Sequence, residues 1–228
     1  MDQLEEAKDY WSKFASVPSE RDGFLELAAA SRRIQLAPGE TLVTQGDKSQ
    51  SVYLLVEGTL KTVRYSKNGH EIWLASFSEG DLIGEMSGLT GSARSSTVIA
   101  VTSVVTLAVD YPDFENAFQS APSFGLKVSK LLAERVRNTS LQLEELATLQ
   151  TSARLHSELF RLGEPDATDE ERATIANPPS VSELAVRIHA ARESTSRAVS
   201  YLHKRGFLKK REDGALDVIS PQNVDVLD

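Results

Sequence analysis

A glycine-rich stretch near the middle of the chain combines residue types that could bind an anionic ligand. It reads GEMSGL from Gly84 to Leu89 and, after four residues, RSS from Arg94 to Ser96. Glycines let backbone N–H groups approach an anion, a carboxylate such as Glu85 can accept from ribose hydroxyls, and an arginine beside a hydroxyl can clamp a phosphate. A glycine-rich turn with one salt bridge would have the same composition. These residues alone leave both interpretations open.

A second stretch, from Arg187 to Arg211, concentrates positive charge in an acidic chain. It contains eight basic residues against the single acid Glu193, a net charge of +7, whereas the whole chain carries −8. The distribution of charge matters more than its sum for contact with nucleic acid, so the total does not exclude DNA. One solvated basic helix face would give the same count. The choice depends on the elements that carry these charges.

The sequence around the basic stretch predicts two helices followed by a hairpin. Ser180 and Glu183 have the S-x-x-E spacing of a capping box, which predicts a helix from there to about Ile188. A second helix is predicted over residues 192–205, because a glycine follows as its stop signal. Two short extended runs between residues 209 and 220 flank an Asp-Gly pair, which predicts a hairpin wing.

This order of elements predicts a helix-turn-helix module. In such a module the second helix enters the major groove, and its first side chains meet base edges. Arginine can read guanine through two hydrogen bonds, and glutamate can accept one from cytosine. The candidate DNA-binding residues on the second helix and at the start of the hairpin are Arg192, Glu193, Ser194, Arg197, Lys209 and Lys210.

Residues 34–109 read as a series of short strands. Runs rich in β-branched and aromatic residues, such as 51–56 and 59–65, are separated by turn signals. The turns recur at roughly the 8–12-residue interval of an antiparallel barrel or sandwich. Asn68-Gly69 lies between two such runs and is a strong hairpin signal. This half of the chain is therefore predicted to be all-β.

A long helix is predicted from about Ser123 to Leu149. Its stripe positions recur three or four residues apart, at Val128, Leu132, Val136, Thr139, Leu143 and Leu146. Such a stripe fits a coiled-coil seam between two chains, and it also fits docking of the helix on its own domain; we favour the seam. Thr139 is the polar exception, and a polar residue at a seam position sets the register or contacts another group.

Composition excludes several kinds of chemistry. The chain has no cysteine, which excludes disulfides, thiolate metal sites and thiol catalysis. The acidic segment 163–179 lacks metal-ligand spacing and is predicted to be a solvated connector. We find no nucleophile with a base and no paired catalytic carboxylates, so we predict neither a metal site nor an enzyme. The N-terminus is unlike a signal peptide and no run approaches a membrane span, which predicts a cytoplasmic protein with no membrane partner.

The two motifs together resemble a known family. The resemblance is to the cyclic-AMP receptor protein and fumarate–nitrate regulator superfamily of bacterial transcription regulators. It rests on the run GEMSGL with its spacing to RSS, and on the run RESTSR in the second helix of the predicted helix-turn-helix module. The resemblance runs from about Phe24 to the end of the chain. It implies an α+β fold with an N-terminal cyclic-nucleotide-binding β-barrel of the jelly-roll type, a long dimerisation helix and a C-terminal winged helix-turn-helix. The domains that it implies are 1–122, 123–150 and 151–228.

The resemblance also implies roles for individual residues. Those implied to bind the nucleotide are Gly84, Glu85, Met86, Arg94, Ser95, Arg135, Thr139 and Ser140. Glu85 would hold the ribose, and Arg94 with Ser95 would hold the phosphate. Thr139 and Ser140 would contact the purine, with Ser140 reaching the ligand of the partner subunit. One departure concerns His189-Ala190-Ala191, where many members have a glycine followed by serine or threonine, which puts the geometry of that turn in question.

The function implied by the resemblance is regulation of transcription in response to a cyclic nucleotide. Cyclic AMP is the first expectation and cyclic GMP the second, with a palindromic site similar to TGTGA in double-stranded DNA. The expected partners are a second copy of the chain and RNA polymerase. Ligand binding would shift the population of paired long helices and rotate the C-terminal domains through a hinge near residues 149–152. The alternatives are a family member that senses another small molecule and one that binds DNA without an effector.

Overall fold

The computed structural model describes residues 3–13, 21–65 and 71–220 and divides the chain into two compact units, Met1–Val136 and Arg137–Asp228. The boundary between the units falls within the longest helix. Each unit has its own hydrophobic core.

Eight antiparallel strands form the basis of the first unit over the residues that the structure describes. Their bounds are β1 Arg32–Leu36, β2 Thr41–Val43, β3 Ser51–Glu57, β4 Leu60–Tyr65, β5 Glu71–Phe77, β6 Leu82–Ile83, β7 Thr97–Ala100 and β8 Val104–Asp110. They form two four-stranded sheets, with strand orders β1-β8-β3-β6 and β2-β7-β4-β5. The hairpin predicted at Asn68-Gly69 joins β4 to β5, which pair from Tyr65 to Glu71; the turn itself lies outside the described residues.

The two sheets share one core, which confirms the jelly-roll prediction. Val43, Leu60 and Val98 from one sheet pack with Tyr53 and Ile83 from the other in a single cluster of buried side chains. Alternation along each strand places these residues on the inner face. Together with the helices described next, these two sheets confirm the α+β fold class for this half.

Helices cover the outer face of one sheet. Their bounds are α1 Gln3–Ser12, α2 Arg21–Ala30, α3 Glu85–Thr90, α4 Tyr111–Ser120 and α5 Pro122–Thr148. The ring of Phe124, at the start of α5, packs edge-to-face with three other aromatic rings, those of Trp11, Phe24 and Phe114. The distances between ring centroids are 5.2 to 6.3 Å. This aromatic cluster anchors the N-terminal end of α5 on its own domain.

The stripe on α5 divides into two parts. Val128 is 1% exposed and packs with Leu132 against the core of the first unit, as expected for docking on the same chain. Val136 and Leu143 are each 67% exposed, and Leu146 is 37% exposed. The docking interpretation therefore holds for the first turns of the helix, whereas the later turns keep an apolar exposed face.

The second unit is a helix-turn-helix with a small sheet. Its elements are α6 Thr151–Leu162, β9 Glu164–Pro165, β10 Arg172–Ile175, α7 Val181–Arg187, α8 Arg192–Arg205, β11 Leu208–Lys210 and β12 Leu216–Ile219. The strand order is β11-β12-β10-β9, and Leu155, Leu202 and Val218 lie in its core. The β11–β12 hairpin confirms the predicted wing. The prediction that segment 163–179 is only a connector is wrong for β10, where Ala173 is fully buried.

The predicted caps and the turn between the helices are present. Ser180 Oγ accepts from the backbone N–H of Glu183, whose carboxylate accepts from the Ser180 N–H, so the capping box is confirmed. His189 follows α7 at φ 51°, and the N–H of Ala190 donates to the carbonyl of Ala185. This is the left-handed helix ending that usually takes glycine, so the turn keeps its geometry with histidine in place.

Candidate functional site

The glycine-rich stretch forms the junction between β6 and the short helix α3. Gly84 precedes α3 at φ 87°, and a Cβ built there would lie 2.2 Å from Nη1 of Arg94. Both the positive φ and the lack of space require glycine at this position. The backbone of Gly84 can therefore lie directly against the arginine.

Arg94 is buried in a cradle of neutral oxygen atoms. The residue is 4% exposed. Its Nη1 donates to Ser87 Oγ at 2.7 Å and to the Gly84 carbonyl at 2.9 Å. Nη2 donates to the Ser51 carbonyl at 2.5 Å, and Nε donates to Ser49 Oγ at 3.2 Å. One guanidinium thus ties the start of β3 to the glycine-rich stretch.

No carboxylate forms an ion pair with Arg94 in the part of the chain that the structure describes. Burial lowers the pKa of Arg94 below its ordinary value, although Tyr53 and the nearby carboxylates of Glu85 and Asp47 oppose that shift, so burial of the charge is only partly compensated. An anion bound here would relieve that cost and could accept charge-assisted hydrogen bonds. The environment of Arg94 therefore favours a negatively charged ligand.

Glu85 lies at the start of α3 and is paired to the long helix. The residue is 1% exposed, and its Oε1 accepts from Nη1 of Arg135 at 2.5 Å. Arg135 also donates through Nη2 to the Leu82 carbonyl at 2.6 Å and lies 5.0 Å from the centre of the Phe77 ring. Burial raises the pKa of Glu85, and the charge of Arg135 opposes that rise. The ion pair with Arg135 therefore fixes the position of the Glu85 carboxylate.

The structure brings together only part of the set implied to bind nucleotide. Gly84, Glu85, Arg94 and Arg135 form the connected site described above. Met86 is 52% exposed on α3, and Ser95 is exposed directly after Arg94. Thr139 and Ser140 are exposed on α5 and belong to the second unit. Their roles toward a nucleotide stay predictions.

Sequence reasoning missed the residues that hold Arg94. Ser49 and Ser51 precede or begin β3, more than forty positions before the arginine, so no local spacing could have identified them. Ser87 lies within the motif, and its hydroxyl both accepts from Arg94 and donates to the Gly84 carbonyl at 3.0 Å. Its position three residues after the glycine, on the first turn of α3, was the available signal.

The candidate DNA-binding side chains lie on the exposed surface of the second unit. Arg192 and Glu193 begin α8, Arg197 follows one turn later, and all three are exposed. Arg192 Nε donates to Ser182 Oγ on α7 at 3.1 Å. Ser194 is half-buried and accepts from Arg197 at 3.4 Å, while Lys209 and Lys210 are exposed on β11 of the wing. One face of α8 is therefore polar and basic, whereas the other packs into the core through Ala198 and Leu202.

Neither a metal site nor a membrane span is evident in the described part of the chain. Across residues 3–13, 21–65 and 71–220, histidine and acidic side chains form no group of three that could hold a metal ion. Over the same ranges, no helix has the length and apolar character needed to cross a bilayer.

Comparison with known proteins identifies relatives that cover both units of the chain. Residues 33–121 match the family model of the cyclic nucleotide-binding domain. The CRP-like cAMP-activated global transcriptional regulator of Mycobacterium tuberculosis is 24% identical over 187 residues, which cover 80% of this chain and 84% of that protein. The cAMP-activated global transcriptional regulator CRP of Salmonella typhimurium is 32% identical over 130 residues, which cover 56% of this chain and 61% of that protein.

A solved structure shows the same fold over nearly the whole chain. The c-di-GMP responsive global regulator CLP of Xanthomonas campestris matches with a TM-score of 0.68 at 20% identity, covering 88% of this chain and 99% of that one. This match extends from the jelly roll through the helix-turn-helix unit.

Proposed function

Since this chain belongs to the cyclic-AMP receptor protein and fumarate–nitrate regulator superfamily of transcription regulators, we propose that it binds DNA as a dimer in response to a cyclic nucleotide, cyclic AMP in the first place. The observation that carries the proposal is Arg94, a buried cation whose hydrogen-bond acceptors among the described residues are all neutral oxygens. A cyclic phosphate supplies the missing negative charge. Among the other nucleotide-binding candidates, Gly84 accepts a hydrogen bond from Arg94 and Ser95 follows Arg94 in sequence. Glu85 and Met86 begin α3 directly after Gly84, and Arg135 is paired with Glu85.

Cyclic AMP is preferred because two relatives carry it in their names, as cAMP-activated regulators. Isothermal titration of the full chain with cyclic AMP, cyclic GMP and cyclic di-GMP tests the choice, with linear 5′-AMP as the control. We expect cyclic AMP to bind most tightly and 5′-AMP to bind weakly, since its dianionic phosphate is not closed onto the ribose. Tighter binding of cyclic di-GMP would support the alternative that the chain senses another small molecule; the structural relative CLP is itself described as c-di-GMP responsive.

The second unit supports the DNA-binding part of the proposal. The exposed basic face of α8 and the lysines of β11 supply base and phosphate contacts, respectively. We propose a palindromic site with half-sites similar to TGTGA, read by Arg192, Glu193 and Arg197, with Ser194, Lys209 and Lys210 as further contacts. Selection of operators from random DNA, with and without each nucleotide, tests the site. Equal selection with and without nucleotide would favour the alternative of a regulator that needs no effector.

A dimer would place two such modules on one palindrome. Val136, Thr139, Leu143 and Leu146 follow one another at spacings of three and four on the exposed part of α5, which suits a two-stranded seam. Sedimentation of wild type and of a Leu143→Glu variant tests the seam, because a charge at its centre should dissociate the dimer. RNA polymerase is the further partner that we propose.

The coupling that we propose runs along α5. Thr139 and Ser140 would contact the purine, so that ligand binding favours one arrangement of the paired helices and rotates the DNA-binding domains near residues 149–152. The functional division is then 1–122 for ligand binding, 123–150 for dimerisation and 151–228 for DNA. We propose that the protein acts in the cytoplasm and catalyses no reaction; hydrolysis of cyclic AMP by the pure protein would contradict this.

A further inference from the structure

Four charged side chains of the second unit form a connected set of ion pairs. Nη1 and Nη2 of Arg161 donate to Oε1 and Oε2 of Glu145 at 3.1 and 3.0 Å. Nη2 of Arg161 also lies 3.3 Å from Oε2 of Glu158, and Oε1 of Glu158 accepts from Nη1 of Arg187 at 3.2 Å. Negative and positive charges therefore alternate along the series Glu145, Arg161, Glu158 and Arg187, which we call the ion-pair network.

The ion-pair network joins three helices. Glu145 lies on the last turn of α5, Glu158 and Arg161 lie on α6, and Arg187 is the last residue of α7. The side chains of Glu158 and Arg187 are 12% and 14% exposed, so solvent screens their attraction less than that of a pair on the open surface. Arg161 is more exposed, but its two-pronged contact with Glu145 adds geometric specificity. The network can therefore fix the positions of α5 and α7 on α6.

The backbone between α5 and α6 does not fix the direction of α5. Gln150, which precedes α6, has an extended conformation with φ −70° and ψ 165°, so the two helices are not continuous. Leu149 packs against the core of the second unit and holds the chain at this point. One anchored residue leaves the direction of the preceding helix open, so side-chain contacts must set it.

A cleft lies beside the ion-pair network. It has a volume of about 280 Å³, is partly open to solvent, and is lined by Gln142 and Leu146 of α5, Arg154 of α6 and Ile188 after α7. The four residues of the network line the same cleft. Since the facing helices are not closely packed here, the ion pairs set the distance between α5 and α7.

The position of α7 matters because α7 leads directly to α8, which carries the candidate base contacts. Arg187 ends α7, Ile188 is buried in the core, and α8 begins at Arg192. Only the four residues 188–191 separate the two helices. A displacement of Arg187 would therefore act on the first residues of α8 through this short turn.

We propose that Glu158 and Arg161 are positioning residues, which transmit the orientation of the end of α5 to the helix-turn-helix through the ion-pair network. The inference rests on the proposed function and adds residues that belong to neither proposed binding site. With the network intact, a movement of α5 displaces Arg187 and α7 with it. Without the network, α5 can turn at Leu149 while α7 keeps its place, so less of the effect of the nucleotide reaches α8.

The experiment compares Glu145→Gln and Arg161→Gln with wild type in the full chain. Fluorescence anisotropy on a selected operator, with and without saturating cyclic AMP, gives the nucleotide-dependent gain in DNA affinity. Each variant should reduce this gain roughly twofold or more. Titration calorimetry should show an affinity for cyclic AMP close to that of wild type, because Arg94 and Glu85 are unchanged.

Two further variants and a control test whether the side chains act as one pair. The double variant Glu145→Gln, Arg161→Gln should lose no more of the gain than the more affected single variant, because either change already breaks the link. Arg161→Lys keeps the charge without the planar fork and should keep part of the gain. The control is Arg172→Gln, which removes an exposed pair with Asp169 elsewhere in the second unit and should leave the gain unchanged.

The possible outcomes separate the positioning role from the proposed function. If wild type responds to cyclic AMP and both single variants show the same gain, the positioning role is wrong while the proposed function stands. The role is equally wrong if the variants weaken operator binding by the same factor with and without nucleotide, or if the two losses add in the double variant. If wild type binds no cyclic nucleotide, or binds it without any gain in operator affinity, the proposed function fails and the inference fails with it.

Discussion

Arg135 of the long helix and Glu85 of the glycine-rich stretch form a largely buried ion pair, fifty positions apart in sequence and 2.5 Å apart in space. Glu85 is the residue that we propose to bind the ribose, and the arginine that holds it lies one turn before Thr139 in the sequence of α5. A change in the position of Glu85 on ligand binding would therefore act directly on α5 through Arg135. This pair joins the candidate ligand site to the helix that carries the proposed seam.

Removal of the Glu85 carboxylate should affect both binding and stability. Glu85→Gln leaves Arg135 without its counter-ion, so we expect weaker cyclic AMP binding and a loss of roughly 1–3 kcal/mol in the free energy of unfolding. Titration calorimetry and urea denaturation measure the two effects. Glu71→Gln is the matched control, because the Glu71 pair with Lys61 is partly exposed on β5 and should contribute at most about 1 kcal/mol. Equal stability loss in both variants would contradict a special role for the buried pair.

Arg94 should be essential for binding and also important for the fold. Arg94→Ala should abolish measurable cyclic AMP binding, and it should lower stability as well because the carbonyls of Gly84 and Ser51 lose their donor. Arg94→Lys keeps the charge but not the planar fork, so we expect binding at least tenfold weaker than wild type with a smaller stability loss. The exposed Arg64 on β4 supplies the control substitution Arg64→Ala. Wild-type affinity in Arg94→Lys would contradict recognition of the phosphate by the guanidinium.

The two kinds of DNA contact should separate by sequence and salt dependence. Arg192→Ala should relax the preference at one base pair of each half-site, with a cost of about 1–3 kcal/mol for the preferred base. Lys209→Ala should weaken all sequences alike and reduce the slope of affinity against salt by about 1. Competition assays with single-base operator variants at several salt concentrations measure both. An unchanged base preference in Arg192→Ala would show that α8 does not read bases through this side chain.

The helix-turn-helix and the glycine-rich stretch were predictable because each depends on local chemistry. The S-x-x-E cap at Ser180, the glycine stop after α8 and the spacing to Arg94 are properties of neighbouring residues. The cradle of Arg94 was not predictable, since Ser49 and Ser51 approach it only through sheet pairing. β10 was missed for a related reason: its short run around Ala173 is interpretable as a strand only once β12 lies beside it. Docking of the first turns of α5 on their own unit was not predictable, because helical periodicity does not reveal which turns the aromatic cluster covers, and the seam itself stays a prediction.

Stability should fall as the pH falls below about 6.5, through His156. This residue is 3% exposed, its Nε2 contacts the Ile219 carbonyl at 2.8 Å, and burial lowers its pKa below 6.5. The unfolded chain therefore takes up a proton at a higher pH than the folded one, so acid favours unfolding, by at most about 1.4 kcal/mol per pH unit. Above pH 6.5 the effect is absent.

Denaturation at pH 7.5, 6.5 and 5.5 measures this slope. His156→Gln should show a shallower decrease than wild type. The pKa of His189 is also lowered, so His189 should contribute to the slope that remains in His156→Gln. An equal pH dependence of wild type and His156→Gln would contradict the assignment.

The most direct test of nucleotide-controlled DNA binding is the affinity for a selected operator, measured by fluorescence anisotropy with and without saturating cyclic AMP. Wild type should bind the operator at least several-fold more tightly with the nucleotide, corresponding to a coupling of about 1–3 kcal/mol. The double variant Thr139→Ala, Ser140→Ala should keep much of its nucleotide affinity, because Arg94 and Glu85 remain, and should lose most of that gain. A full gain in the double variant would contradict coupling through the seam. Operator affinity in wild type that is the same with and without cyclic AMP, although the nucleotide is bound, would contradict nucleotide-controlled DNA binding itself.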